Sequence, residues 1–100
     1  MAKPTDARVN DGGRPRFRSM DDAPPFTAKQ GQYLAFIYYY TKIHGTPPAE
    51  ADFRRFFRVM PPVVHQMIKT LHAHGFIDRE AGRARSIRLH LARAQLPELE

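Results

Sequence analysis

The sequence predicts a mainly α-helical fold, three helices closed by a small β-hairpin. Three observations carry that reading. Apolar residues recur at helical spacing in three stretches between Phe26 and His74, glycine and proline punctuate those stretches, and after Gly75 the apolar pattern changes from a period of about 3.6 to a period of about 2.

A chain of 100 residues supplies at most one compact domain of ordinary size. Apolar residues make up 42% of it, enough for a modest core, while nine prolines and a mean hydropathy of -0.54 imply sequence outside that core. Residues 1–25 are the expected outlier. They hold Gly12, Gly13, four prolines and scattered charges, with Val9, Phe17 and Met20 as the sizeable apolar side chains. Such a segment buries too little to offset its ordering entropy, so a disordered basic arm is expected, in which Arg14, Arg16 and Arg18 form a cluster suited to phosphates or a minor groove.

Order is expected from Phe26. Thr27 followed three residues later by Gln30 has the spacing of a capping box, in which each side chain satisfies the other residue's orphan amide. The first helix then runs from about Ala28 to His44, with Tyr33, Phe36, Ile37 and Tyr40 on one face, Leu34 widening it and Gly45 as the stop. Pro47 and Pro48 break the chain before a short second helix, about Glu50 to Phe57, with Phe53 and either Phe56 or Phe57 inward and Arg54, Arg55 and Arg58 in water. A tight turn at 58–60 leads to a third helix. Pro61 and Pro62 suit its first turn, where their missing N–H groups are not needed, and Gly75 follows His74 as its left-handed stop.

Beyond Gly75, Ile77 and Arg79 alternate, as do Ile87, Leu89 and Leu91 with Arg88 and His90, which predicts a β-hairpin turning near Gly82. The domain is therefore bounded at 26–91. Residues 92–100 carry a net charge of -1 and are expected to trail off as a tail, with room for one short extra turn.

The formal net charge is +6 and the isoelectric point about 10.2, which favours a polyanionic partner. Between Phe26 and Leu91 ten basic residues face four acidic ones, so the whole excess lies in the folded part. Three helices followed by an arginine-bearing hairpin make the winged helix-turn-helix plan, whose third helix enters the major groove of double-stranded DNA while the wing lies on the backbone. Val64, Met67, Ile68 and Leu71 take the inward face of that helix. Pro62, His65, Gln66 and Lys69 take the opposite face. Gln66 can make a paired contact to an adenine edge, His65 can meet a purine, Lys69 can reach a guanine or a phosphate, and Pro62 and Val63 can touch thymine methyl groups. Arg54 and Arg58 flank this surface, and Arg79, Arg83, Arg85 and Arg88 belong to the hairpin; these six are assigned to the DNA backbone.

The stretch from FTAKQGQYLAF through HGTPPAEADFRRFF and PPVVHQMIKTLHAHGFIDREAGRARSIRL is similar to the N-terminal DNA-binding domain of the LexA repressor family. The matching pieces are Thr27 and Gln30, Gly45 to Pro48, Lys69, Leu71, Gly75 and Ile77, and the return-strand residues Arg85, Ser86 and Ile87. The resemblance implies that the exposed start of the third helix, Met60, Pro62, Val63, His65 and Gln66, reads operator bases. Three departures stand out: Ala49 replaces the usual Ser or Thr cap of the second helix, Met60 replaces the usual Ser before the third, and the inter-helix turn is about one residue shorter. The base-reading residues differ as well, so the family's operator does not transfer.

The family continues into a serine-lysine self-cleaving domain, for which 100 residues leave no room. Ser19 and Ser86 are the only serines and neither has a lysine placed as its base; Ala81-Gly82 resembles the cleavage dipeptide but lies at the wing tip. No enzymatic activity, cofactor or small-molecule substrate is expected. A metal site is not expected either, because His72 and His74 point to different helix faces and His65 and His72 lie about two turns apart with no cysteine to complete a tetrahedron. The absence of cysteine fits a reducing compartment, and no apolar run approaches the roughly 20 residues of a membrane span, so a cytoplasmic, nucleoid-associated regulator of bacterial or phage type is expected. A homodimer, formed either in solution or only on DNA, is the assembly the resemblance allows. The rival reading is a winged-helix module docking a transcription or phage factor through the same surface or the Tyr38 and Tyr39 edge.

Overall fold

The computed structural model describes residues 25–100; the expected arm, apart from Pro25, lies outside the described residues. Helix α1 spans Ala28–His44 and its capping box is fully formed: the Gln30 amide donates to Thr27 Oγ1 at 3.1 Å and the Thr27 amide donates to Gln30 Oε1 at 2.9 Å. At its other end Gly45 adopts φ 76°, and its amide returns to the Thr41 carbonyl at 2.8 Å. Tyr33, Leu34, Ala35, Phe36 and Ile37 are all buried. That run covers the full circumference of the helix, so the middle of α1 is enclosed rather than striped.

Helix α2 covers Glu50–Phe57 and α3 covers Pro61–Ala73. Phe53 is fully buried and Phe57 stacks face to face on Tyr33 at 4.3 Å, whereas Phe56 stays 45% exposed, which settles the choice between the two inward candidates. Val64, Ile68 and Leu71 of α3 close the core, with Met67 half-buried beside them. Burial of each side chain of this size is worth about 1.5 to 3 kcal/mol, so this small aromatic and aliphatic cluster sets the relative placement of the three helices. Between α2 and α3 the chain turns at Arg58, a non-glycine residue at φ 57°, while the Val59 amide bonds the Arg54 carbonyl.

The hairpin is shorter than its alternating sequence suggests. Strand β1, Ile77–Asp78, pairs antiparallel with β2, Arg88–Leu89, in the register Ile77 to Leu89 and Asp78 to Arg88. The ladder stops there because side chains take over the backbone's partners. The Glu80 amide donates to Ser86 Oγ at 2.9 Å, and the Ser86 hydroxyl faces the Arg83 carbonyl at 2.8 Å. Residues 79–87 thus form a wing loop with Gly82 at φ 78° and Arg85 at φ 56°.

The last nine residues do not trail off. Leu96 is 8% exposed and joins the core, Leu99 packs against it, and a short 3-10 turn spans Arg93–Gln95. The Gln32 side chain donates to the Glu98 carbonyl at 2.9 Å and accepts from the Glu100 amide at 2.8 Å. Two apolar side chains and a paired amide contact outweigh the charge and proline content from which a free tail is expected. Among the described residues no helix is long and apolar enough to cross a membrane.

Candidate nucleic-acid interface

Helix α3 lies with Val64, Ile68 and Leu71 in the core, and its remaining surface is turned outward by the same periodicity. All six residues assigned to base reading, Met60, Pro62, Val63, His65, Gln66 and Lys69, are exposed. Met60 is 70% and Val63 48% exposed, large values for apolar side chains that the core does not use. Met60 sits at the N-cap of α3 with no side-chain cap bond, and Pro61 and Pro62 offer no N–H. The start of α3 is therefore an apolar tip with few hydrogen-bond donors, and the polar readers follow one turn later. Their internal ties are long: His65 Nδ1 lies 3.4 Å from Glu50 Oε2, and Gln66 Nε2 lies 3.4 Å from Thr70 Oγ1. Both side chains can turn to an outside partner at little loss. Thr27, Gln30, Pro62, Val63, Gln66, Met67 and Thr70 line an open groove between the start of α1 and this face.

The six arginines assigned to the DNA backbone separate into distinct situations. Arg54, Arg58 and Arg88 are exposed. Arg83 is exposed and pairs with Glu80 at 3.0 Å within the wing loop, a contact readily exchanged for a phosphate. Arg79 is only 20% exposed and approaches Glu50 at 3.8 Å. Arg85 remains 42% exposed but is tied within the fold through one nitrogen. Its Nη1 faces inward, 3.0 Å from Asp52 Oδ2, 3.1 Å from the Pro47 carbonyl and 3.2 Å from the Tyr40 hydroxyl.

Asp52 is the residue that sequence reasoning missed. It is 7% exposed, and besides Arg85 it accepts from the Ala49 amide at 2.8 Å and from Arg55 at 2.6 Å. Burial alone would push this carboxyl up. The Ala49 amide, Arg85, the Tyr40 hydroxyl and Arg55 together override burial and hold it below the usual carboxylate range. Asp52 thereby satisfies an orphan amide of α2 whose N-cap, Ala49, has no side-chain oxygen. The signal was present, since Ala49 and Asp52 have the three-residue spacing of a box with one half missing. The partner edge formed by Tyr38 and Tyr39 is also altered by the fold: both rings are half-buried, and Arg93 lies over them at 5.8 and 5.4 Å.

Residues 23–86, from just before α1 through the wing loop, match the LexA DNA-binding domain family. The chain belongs to that family. It is 40% identical over 68 residues to the LexA repressor of Aromatoleum aromaticum, a stretch covering 67% of this chain and 34% of that protein. Against the LexA repressor of Thermotoga neapolitana the identity is 33% over 63 residues, covering 63% of this chain and 32% of that protein. The matched stretch thus spans about a third of the length of these relatives. The folded core of this LexA-family chain reaches past the matched residues, because Ile87 and Leu96 are both buried in it. The tip of α3 in this LexA-family chain is an exposed apolar group of Met60, Pro62 and Val63.

Proposed function

We propose that this chain binds double-stranded DNA with sequence preference and regulates transcription, with the first two turns of α3 in the major groove and the wing against the backbone. The observation that carries the reading is the outward placement of Met60, Pro62, Val63, His65, Gln66 and Lys69 on one helix whose opposite face is core. Major-groove base edges present donors, acceptors and thymine methyl groups, and this surface offers partners for each. Arg54, Arg58, Arg83 and Arg88 supply the sequence-independent phosphate attraction. One copy has one reading helix, so tight binding calls for two copies on adjacent half-sites, meeting on the DNA. Selection of bound duplexes from a random pool tests this reading. It is expected to return a short preferred motif, repeated at a spacing near one helical turn or a multiple of it. A pool returned without enrichment removes sequence preference, and equal affinity for random single strands removes duplex binding as the function.

A further inference from the structure

We infer that Arg85 is a positioning residue that latches the wing to the start of α2, so that Asp52, a residue shielded from DNA, sets where Arg83 and Arg88 meet the backbone. The consequence for DNA rests on the reading above; the latch itself is a property of the protein alone.

Four features of the molecule carry the inference. The guanidinium ties the wing loop to three different pieces of the frame, the α1 residue Tyr40, the loop carbonyl of Pro47 and the α2 carboxylate of Asp52, from a single nitrogen. Its Cζ also sits 5.9 Å from the Tyr40 ring centre. The Arg85 backbone is held at φ 56°, a conformation that a side chain with a Cβ adopts at a penalty and keeps only where its surroundings demand it. At that position the Nη1 group meets all three of its partners. Finally, Asp52 is nearly sealed from water, so swinging Arg85 out to a phosphate would leave a desolvated carboxylate with one charged partner fewer. Outside the latch the wing is held by the two-residue ladder, the buried Ile87, a 3.8 Å approach of Arg79 to Glu50 and bonds within the loop from Ser86 and Arg83, none of which ties its tip, residues 81–84, to α1 or α2. A cleft of about 260 Å³ lies beneath it, lined among others by Ala49, Glu50, Arg79, Arg83 and Arg85, so the loop has room to move if Arg85 lets go.

The decisive variant is Asp52→Asn, because two roles for Arg85 predict opposite signs. If Arg85 itself gripped phosphate, Asp52→Asn would remove a negative charge, release the guanidinium and tighten binding. If Arg85 is a latch, the same change weakens binding to every duplex, about tenfold, and flattens the dependence of log K on log salt by roughly 1 as one wing contact is lost. Tyr40→Phe changes no charge and removes the hydroxyl that accepts from Arg85 and donates to Asp52. It is expected to weaken binding about two- to threefold in the same direction, less than Asp52→Asn because Asp52 and the Pro47 carbonyl still hold the guanidinium. In DNA-free protein both variants should speed hydrogen exchange at the Glu80 and Arg83 amides, which the intact loop protects. Unchanged exchange in Tyr40→Phe, or tighter DNA binding by Asp52→Asn, overturns the latch. Faster exchange with unaltered affinity and salt slope overturns the positioning role. Should Asp52→Asn fail to fold, Tyr40→Phe carries the test alone. A parent protein that binds no duplex while the variants still loosen the wing defeats the DNA reading and leaves the latch standing.

Discussion

The outer face of α3 and the wing are both exposed, yet they hold their side chains in different ways. Along α3, Met60, Pro62, Val63 and Lys69 are turned outward, and the two polar ties, His65 to Glu50 and Gln66 to Thr70, are both 3.4 Å long. In the wing, three of four arginines already face a carboxylate: Arg79 meets Glu50, Arg83 meets Glu80 and Arg85 meets Asp52. A helix face is set by periodicity, so its outward residues are available by default. A loop lacks a ladder to hold it and must use its own side chains as fasteners. Counting charges therefore overstates what the wing can give to a partner, whereas counting exposed positions on α3 does not.

Both surfaces rest on one core, and the tail is part of it. Leu96→Ala is expected to lower stability by about 2 to 5 kcal/mol, as for other buried leucines, measured by denaturant unfolding. A change within a few tenths of a kcal/mol would mean a tail that contributes nothing to the core.

On α3, His65→Ala and Gln66→Ala should each lose roughly 1 to 3 kcal/mol on the selected motif while random-duplex affinity stays nearly constant. Equal losses on both DNAs would move these residues from base reading to the backbone and erase the contrast with the wing. In the wing, Arg83→Ala combined with Arg88→Ala should weaken all duplexes alike and reduce the salt slope by about 1.8, two contacts at roughly 0.9 each. An unchanged slope would leave Glu80 as the sole partner of Arg83.

Met60→Ser sharpens the comparison at the tip of α3, where a cap is missing. Thermal unfolding should show a gain of about 1 kcal/mol from the new hydroxyl cap, while the preference for the selected motif falls as the apolar contact is lost. Gain in both would show that Met60 serves neither the fold nor the DNA.

The smallest effect concerns acid. Because the folded state holds the Asp52 carboxyl below its ordinary range, its contribution is complete at neutral pH. It is lost as the pH falls through the ordinary carboxylate range to the depressed folded value. The stability difference between the parent and Asp52→Asn should accordingly shrink on acidification; a difference that is constant with pH would remove the charge from the latch.

The helices and their limits were legible because each is written locally. Thr27 with Gln30 and Gly45 mark α1, Pro61 with Pro62 opens α3, and the outward set on α3 follows once Val64, Ile68 and Leu71 are assigned inward. The inward choice of Phe57 over Phe56 required the partners on α1, since both rings reach Phe36 and of the two only Phe57 stacks on Tyr33. The Arg85 to Asp52 tie spans 33 residues and accompanies a positive φ at a non-glycine position, neither of which local sequence pattern marks. The tail was misread for a related reason. Leu96 and Leu99 look sparse among charges, and their burial depends on Gln32, more than 60 residues earlier, bonding the backbone beside them.

The groove between the start of α1 and the outer face of α3 bears on how the protein should be handled in the laboratory. Thr27 and Gln30 share its walls with Pro62, Val63 and Gln66, so whatever is fused a few residues upstream of α1 emerges beside the surface that is to meet DNA. An immobilisation handle or bulky reporter attached there would crowd that surface against the chip or bead and depress apparent affinity without touching any contact residue. A dye placed at Ile43, which is 74% exposed near the far end of the same helix, reports binding from a site about 16 residues, or roughly 24 Å of helix, away from that groove.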